Sequence, residues 1–433
     1  MSDTQSPDYR TLKLDGIYQQ NTNGDLMLRL KLPGGLLSAL QAEVICDLSD
    51  SYSTGILHLT CRGSLELHGL RGESLSPVFR RLQTVGLTTR GACGGAVRSI
   101  ACAPSEGERY TRIQALVRRL HQHFSGNPHF EGLPKKFKIG IEDGYQGARH
   151  LAQDLAMVYL DREDGRDLCD VWVAGGLGAQ PREGFLLAGR VPFERLLPLI
   201  EGVIKVYLHH APPGKRLKHL LADIGEREFR ALLARETRGS QPCPVIGPLD
   251  EVLDASTAPG AGGWIELPVF AGQLPSADLR QVAGLVRRLG DGFLAISPEQ
   301  NLLISLAAEL DPRPLKQALQ AAGVPLDGSA LNCRVCPGSH ACPKGLVPTR
   351  DVARQLAKIL GEQGRSLDWA VAGCPNSCSQ PQLAHCGIIG VRKGSAAKEA
   401  LFDLYRRDDD GFGKPLQRKL TLAELMQAIK ALG

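Results

Sequence analysis

The sequence predicts an α+β fold built by internal duplication. A strand–helix–strand unit occurs twice, and each copy is followed by a longer mixed segment of helices and strands. The first unit runs from the alternating stretch Leu26 to Pro33, through a helical stretch, to a strand-like run from Gly55 to Leu65. Period-two alternation of apolar residues marks the strands, because successive side chains point to opposite faces. The longer segment after it spans about Cys93 to Leu232. A stretch rich in Pro, Gly, Ser and Thr then reads as a linker. The second unit runs from Trp264 to Pro268, through a helix from Asp278 to Leu289, to a strand-like run from Gly292 to Leu302. A second long segment spans about Cys333 to Leu432. The implied division is 1–85, 86–235, a linker at 236–263, 264–330 and 331–433. Chance similarity is the competing explanation; the shared order of elements over both halves favours duplication.

Composition narrows the function. A chain of 433 residues, 43% hydrophobic, can bury ample core in several units. It has no apolar run long enough to span a bilayer. Met1 to Arg10 is polar and lacks the apolar stretch of a secretory signal, so a cytoplasmic protein with reduced cysteines is expected. A net charge of +5, with both signs mixed along the chain, is too mild to argue for nucleic acid.

Six of the 12 cysteines fall between 333 and 386. Four form two close pairs, Cys336-x5-Cys342 and Cys374-Pro375-Asn376-Ser377-Cys378. Soft thiolates in such pairs suit an iron–sulfur cluster or, less well, zinc, whose ribbons use C-x2-C pairs. Pro375 stops a helix and leaves a loop that can wrap a cluster. Cys333-x2-Cys336 overlaps the first pair, so spacing alone leaves the ligand choice open. The alternative is that these are buried filler residues. Cys46, Cys61 and Cys169 lie outside the pairs and are expected to tolerate serine.

The first half supplies positive charge. Arg62 ends a strand-like run before Gly63, and Arg98 sits in the glycine-rich turn from Gly91 to Ser99. Lys136 and Lys138 flank Phe137; on a strand they would share one face. Such residues can form an anion pocket. A solvated basic edge strand explains the lysines equally simply, and from charge alone is preferred.

Taken together these motifs resemble the siroheme-dependent nitrite and sulfite reductases over nearly the whole chain. The resemblance rests on Thr60-x-Arg62 with Leu67-His68-Gly69, Cys93-Gly94-x-x-Val97-Arg98 and Leu133-Pro134-x-Lys136-Phe137-Lys138. Gly175-Gly176-Leu177-Gly178-Ala179-Gln180-Pro181 and the two cysteine pairs complete it. It implies a pseudo-two-fold fold with two ferredoxin-like portions and two larger α+β portions that bind siroheme and cluster. It implies a 4Fe–4S cluster held by Cys336, Cys342, Cys374 and Cys378, with Cys378 also bridging to the siroheme iron. It further implies that Arg62, Arg98, Lys136 and Lys138 surround the face where the oxyanion binds. Cys378, Arg62, Arg98, His68, Gly176 and Asn376 would contact the cofactor. Arg112, Arg149, Lys215, Arg216 and Lys218 are candidates for its carboxylates, although each alone reads as a surface residue. The chain departs from the family pattern at Gly63-Ser64, Gly95, Ser99 and 406–410, where siroheme contacts could differ.

The implied activity is the six-electron reduction of sulfite or nitrite, sulfite being mildly preferred. A precorrin-3B synthase-like tetrapyrrole oxidation on the same scaffold is the nearest alternative, but its large substrate needs no pocket of four cations. A non-catalytic electron-transfer or tetrapyrrole-handling protein is another. Gly175-Gly176-Leu177-Gly178 does not complete a dinucleotide fingerprint, and no ferredoxin-type cysteine run is present, so electrons must come from a separate ferredoxin or flavoprotein. Oligomeric state leaves no mark in the sequence.

Overall fold

The structure, a computed structural model, describes residues 11–239, 258–324, 326, 331–395 and 399–432. The expected linker therefore lies outside the described residues from 240 to 257. The first half comprises β1 (Ile17–Gln19), β2 (Leu26–Arg29), β3 (Leu36–Ser38), α1 (Ala39–Tyr52), β4 (Ile56–Leu59), β5 (Leu65–Leu70) and α2 (Leu75–Gln83). It continues with β6 (Ala101–Cys102), α3 (Gly107–Phe124), β7 (Ile139–Asp143), β8 (Leu155–Glu163), β9 (Arg166–Val173), β10 (Phe185–Pro192), α4 (Phe193–His210) and α5 (Leu217–Glu236). The second half opens with β11 (Trp264–Leu267), β12 (Gln273–Pro275), α6 (Ser276–Leu289), β13 (Phe293–Ile296), β14 (Leu302–Ser305) and α7 (Pro312–Ala321). It closes with β15 (Cys333–Val335), α8 (Thr349–Ile359), α9 (Glu362–Arg365), β16 (Trp369–Ala372), β17 (Cys386–Arg392), β18 (Leu401–Arg406), β19 (Lys414–Leu420) and α10 (Leu422–Lys430).

The duplication is visible in sheet topology. Two large sheets, ordered β10-β9-β8-β7-β6 and β15-β16-β17-β18-β19, share one pattern. Their first three strands in chain order run parallel and the last two antiparallel. The two small sheets are ordered β1-β2-β5-β4-β12 and β11-β14-β13-β3. Each therefore takes one short strand from the other half. Leu274 of β12 lies opposite Leu57, and Leu37 of β3 lies opposite Leu294. The amphipathic helices α1 and α6 pack together, and one apolar core unites both small sheets. Ser38 and Gln41 form a reciprocal capping box that starts α1 directly after the exchanged strand.

The third element of each repeat is a hairpin, not the single strand expected. In the first copy Thr60 N donates to Ser64 O at 2.9 Å; in the second Ser297 N donates to Asn301 O at 2.9 Å. Gly63 and Gln300 take the same left-handed conformation, with φ of +62° and +68°. Arg62 consequently sits at a hairpin tip, free of the strand. Among the described residues no helix is long and apolar enough to cross a membrane.

Candidate functional site

The cationic side is built on two carbonyl-rich turns and one short extended segment. Phe137 is buried while Lys136 and Lys138 flank it on the opposite face. Arg98 N donates to Phe137 O at 2.9 Å, joining the glycine-rich turn to this segment. Asp154, fully buried, fixes the far end: its Oδ2 accepts from Lys138 N at 2.9 Å and from Arg216 Nη2 at 2.9 Å. Arg62 reaches in from the hairpin tip and donates to Gln153 Oε1 at 2.7 Å, Ser99 O at 3.0 Å and Ile139 O at 3.2 Å. Arg98 donates to Ala92 O and to Gly94 O, while its Nε is buried without a partner. Much of both guanidinium groups is therefore committed to protein carbonyls. The lysine ammonium groups have no hydrogen-bond or ion-pair partner among the described residues.

Charge couples these groups. Burial lowers Lys136 to about 8, and the nearby Cys378 and the charges of Arg216, Arg98 and Asp154 act on it in turn. Burial lowers Lys138 well below the ordinary lysine range, helped by the charges of Lys136, Arg62 and Arg216. Burial also lowers Arg62 to about 10. Asp154 is the anionic anchor of this group, and nothing in its local sequence marks it. Replacing it by alanine would leave Arg216 as a buried unpaired charge. The expected cost is about 3–5 kcal/mol, read as a lower denaturant midpoint; an unchanged midpoint would show that the pair is dispensable.

The thiol side comes from the second half. Cys336 follows β15 and Cys374 follows β16, so both pairs leave the carboxyl ends of adjacent parallel strands. The two loops touch backbone to backbone: a Cβ on Gly373 would lie 2.7 Å from Gly338 Cα, which no side chain allows. Cys336, Cys342 and Cys374 are half-buried and Cys378 is exposed, whereas the other seven described cysteines are buried. Burial raises the first three thiols, and Cys378 raises each further. Cys374 and Cys378 therefore both lie near each thiol of the first pair. Backbone amides oppose the rise: Gly373 and Gly338 act on Cys336, Lys344 and Gly345 on Cys342, and Asn376 on Cys374. Gly373 N lies 3.1 Å from Cys336 Sγ. Among the described residues no three His, Cys, Asp or Glu side chains converge tightly enough to hold one metal ion. Four thiols on two adjoining loops, with Gly373 N–H aimed at the Cys336 sulfur, fit the ligand chemistry of a four-iron cluster.

Several residues expected at the cofactor have protein partners. His68 engages both ring nitrogens, with Gln20 Nε2 at 2.8 Å and Glu66 Oε2 at 3.1 Å. Gln20 also donates to Ala341 O at 2.9 Å, so His68 braces the loop before Cys342 and keeps no ring nitrogen for a cofactor. Gly176 makes room for protein: a Cβ there would lie 2.5 Å from Arg216 Nη1. Arg216 and Lys218 are buried, not surface residues, and hold the 175–180 turn through its carbonyls. Arg112 is buried against Asp167 and Arg149 pairs with Glu299, while Lys215 is exposed as its isolated reading suggested. Asn376 is exposed, and its side chain acts on the Cys374 thiol.

The departures from the family pattern are mutually adjusted. Ser64 Oγ bonds Ser99 Oγ at 3.2 Å, and a Cβ on Gly95 would lie 2.2 Å from Leu133 O, which leaves no space for aspartate. The 406–410 segment leads to Phe412, whose N donates to Glu183 Oε1 at 2.6 Å and ties the second half to the first. Cys333 is a buried core residue, and Cys386 accepts from Arg406 Nη1 at 3.3 Å.

A duplicated α+β scaffold that sets clustered thiols against a basic pocket defines a metal-cluster redox enzyme. Residues 93–241 match the nitrite and sulphite reductase 4Fe-4S domain, and residues 18–85 and 258–322 match the nitrite/sulfite reductase ferredoxin-like half domain. Together these matches cover more than half of the chain. The chain belongs to the nitrite and sulfite reductase family and is an oxidoreductase of siroheme and a 4Fe–4S cluster. It is 27% identical over 447 residues to sulfite reductase [ferredoxin] 1 of Mycolicibacterium paratuberculosis, covering 95% of this chain and 80% of that protein. It is 29% identical over 434 residues to the ferredoxin–nitrite reductase of Leptolyngbya laminosa, covering 92% and 83%. The structure of the Mycobacterium tuberculosis NirA protein is similar with a TM-score of 0.82 at 25% identity, over 97% of this chain and 85% of that one. The cluster-domain match falls on the first large portion, whose described cysteines, Cys93, Cys102 and Cys169, are buried. The two thiol pairs lie in its structural repeat.

Proposed function

We propose that this protein reduces sulfite to sulfide or nitrite to ammonia by six electrons, with sulfite the preferred substrate. The observation that carries the reading is the approach of Lys136 to Cys378, with Lys138 and Arg62 beside it and neither lysine ammonium partnered among the described residues. Cys336, Cys342, Cys374 and Cys378 would hold the cluster, and Cys378 would be shared with the siroheme iron. When bound, the coupled cluster and siroheme supply electrons one at a time. On this reading the 331–433 portion provides the thiols and the 86–235 portion most of the cations. The hairpin tip of the 1–85 portion adds Arg62, and the 264–330 portion completes the scaffold.

Lys136 and Lys138 would bind the oxyanion and deliver protons as its bonds to oxygen break. Arg62 and Arg98 contribute charge and hold the carbonyl framework that aims the lysines. The preference for sulfite draws on the sulfite reductases among the relatives; a ferredoxin donor draws on the same names. A nitrite reductase relative at similar identity keeps nitrite in the test. A cytoplasmic location belongs to the proposal because four reduced thiols are required.

Steady-state assays with sulfite and nitrite side by side, driven by reduced ferredoxin, test the proposal. Siroheme absorption bands and turnover of at least one anion are expected. A cluster spectrum without siroheme and without turnover would overturn it in favour of tetrapyrrole oxidation or electron transfer. The pH dependence has a defined sign. Lys136 is charged below about 8 and neutral above. Nitrite stays an anion throughout this range, so its KM should rise as pH climbs through about 8. A KM that falls or stays flat over that interval would remove Lys136 from anion binding.

A further inference from the structure

Arg334 lies on β15, two residues before Cys336, and is 2% exposed. Its Nε donates to Ser379 O at 3.3 Å and its Nη1 to Asp368 Oδ2 at 3.2 Å, while Nη2 is buried without a partner. Ser379 directly follows Cys378. A second contact fixes the same turn, since the Cys61 thiol donates to Cys378 O at 3.0 Å. The turn is conformationally demanding: Ser377 and Gln380, on either side of Cys378, both adopt left-handed φ values of +54° and +59°. Asp368, the counterion of Arg334, is itself held by His385, whose N donates to its Oδ1 at 2.7 Å. The Arg334 charge reaches the Cys378 neighbourhood, because it is the largest effect opposing burial on the Cys61 thiol.

We propose that Arg334 is a positioning residue that locks the Cys378 turn and sets the reduction potential of the adjoining cluster with a buried positive charge. This inference rests on the assignment of Cys378 to the cluster. Reduction adds one electron, so a fixed cation in a poorly screened site favours the reduced form and raises the potential. Its counterion opposes it: removing the carboxylate charge of Asp368 leaves the cation uncompensated. A purely structural ion pair would behave differently, because breaking it from either side would disturb the turn alike.

The test is a reductive titration of the purified holoenzyme followed by electron paramagnetic resonance, with iron and acid-labile sulfide counted per chain. Arg334→Met should retain the cluster and shift its potential downward. Asp368→Asn should shift it upward, and Arg334→Lys should stay near wild type. Unchanged potentials in both the Met and Asn variants, or shifts in the same direction, would overturn the role. Should Arg334→Met fail to fold, the other two variants decide: an Asn variant that is not raised, or a Lys variant far below wild type, overturns it. A wild-type preparation without iron and sulfide would instead overturn the cluster assignment beneath it.

Discussion

Cys374→Ser is expected to yield protein with little or no 4Fe–4S cluster. A serine hydroxyl is harder and far less acidic than a thiol, so it is a poor iron ligand. In this structure the thiol at 374 is already raised by burial and by Cys378, and it relies on Asn376 to offset that cost. An alcohol there would be harder still to ionise. Cys336→Ser and Cys342→Ser should behave alike. Cys46→Ser and Cys169→Ser, both in buried positions away from the loops, should retain iron and sulfide. Cys61 is a poorer control than its spacing suggested, because its thiol holds the carbonyl of Cys378. Cys378→Ser should alter the siroheme spectrum as well as the cluster, as expected for a shared ligand. Full iron and sulfide in the Cys374 variant would sink the ligand assignment.

The second large effect is expected at the lysines. Lys136→Met and Lys138→Met should each lower sulfite or nitrite turnover about 10²–10³-fold while cofactor content stays near normal. Methionine preserves the length of the aliphatic stem, so the change removes charge and donors with little loss of packing. Lys138 should be the more sensitive, since its backbone N–H is clamped by Asp154 Oδ2 and it is the more deeply desolvated of the two. Arg62→Ala differs in kind. It breaks three bonds to Gln153, Ser99 and Ile139, so the pocket should loosen and cofactor content should fall along with rate. Normal turnover by both methionine variants would defeat the pocket.

These expectations depend on features of unequal legibility. The lysine pair was readable because a strand face follows from period two: Phe137 turns to the core and its neighbours turn away. The cysteine pairs were readable because soft ligands at close spacing have few other uses. The protein partners of His68 were not legible, because Gln20 and Glu66 reach its two ring nitrogens only through the pairing of β1, β2 and β5. Arg216 and Lys218 looked like surface residues because charge alone carries no information about burial. They are buried only because Asp154 and the carbonyls of the 175–180 turn receive them.

By itself the sequence determined the repeated order of elements, the apolar faces of the strands, and the short motifs in which thiols and cations cluster. Those are properties of composition and short-range periodicity. Tertiary structure alone decided that β3 and β12 change places between the halves, that Arg62 rides on a hairpin tip, and that cations of the first half meet thiols of the second. It also decided that Arg334 stands behind Cys378. The physical reason is separation along the chain. Lys136 and Cys378 act on each other only because the two large sheets, each with its own core, are joined by the single core of the small sheets and by a small apolar cluster in which Leu383 meets Leu151 and Leu177.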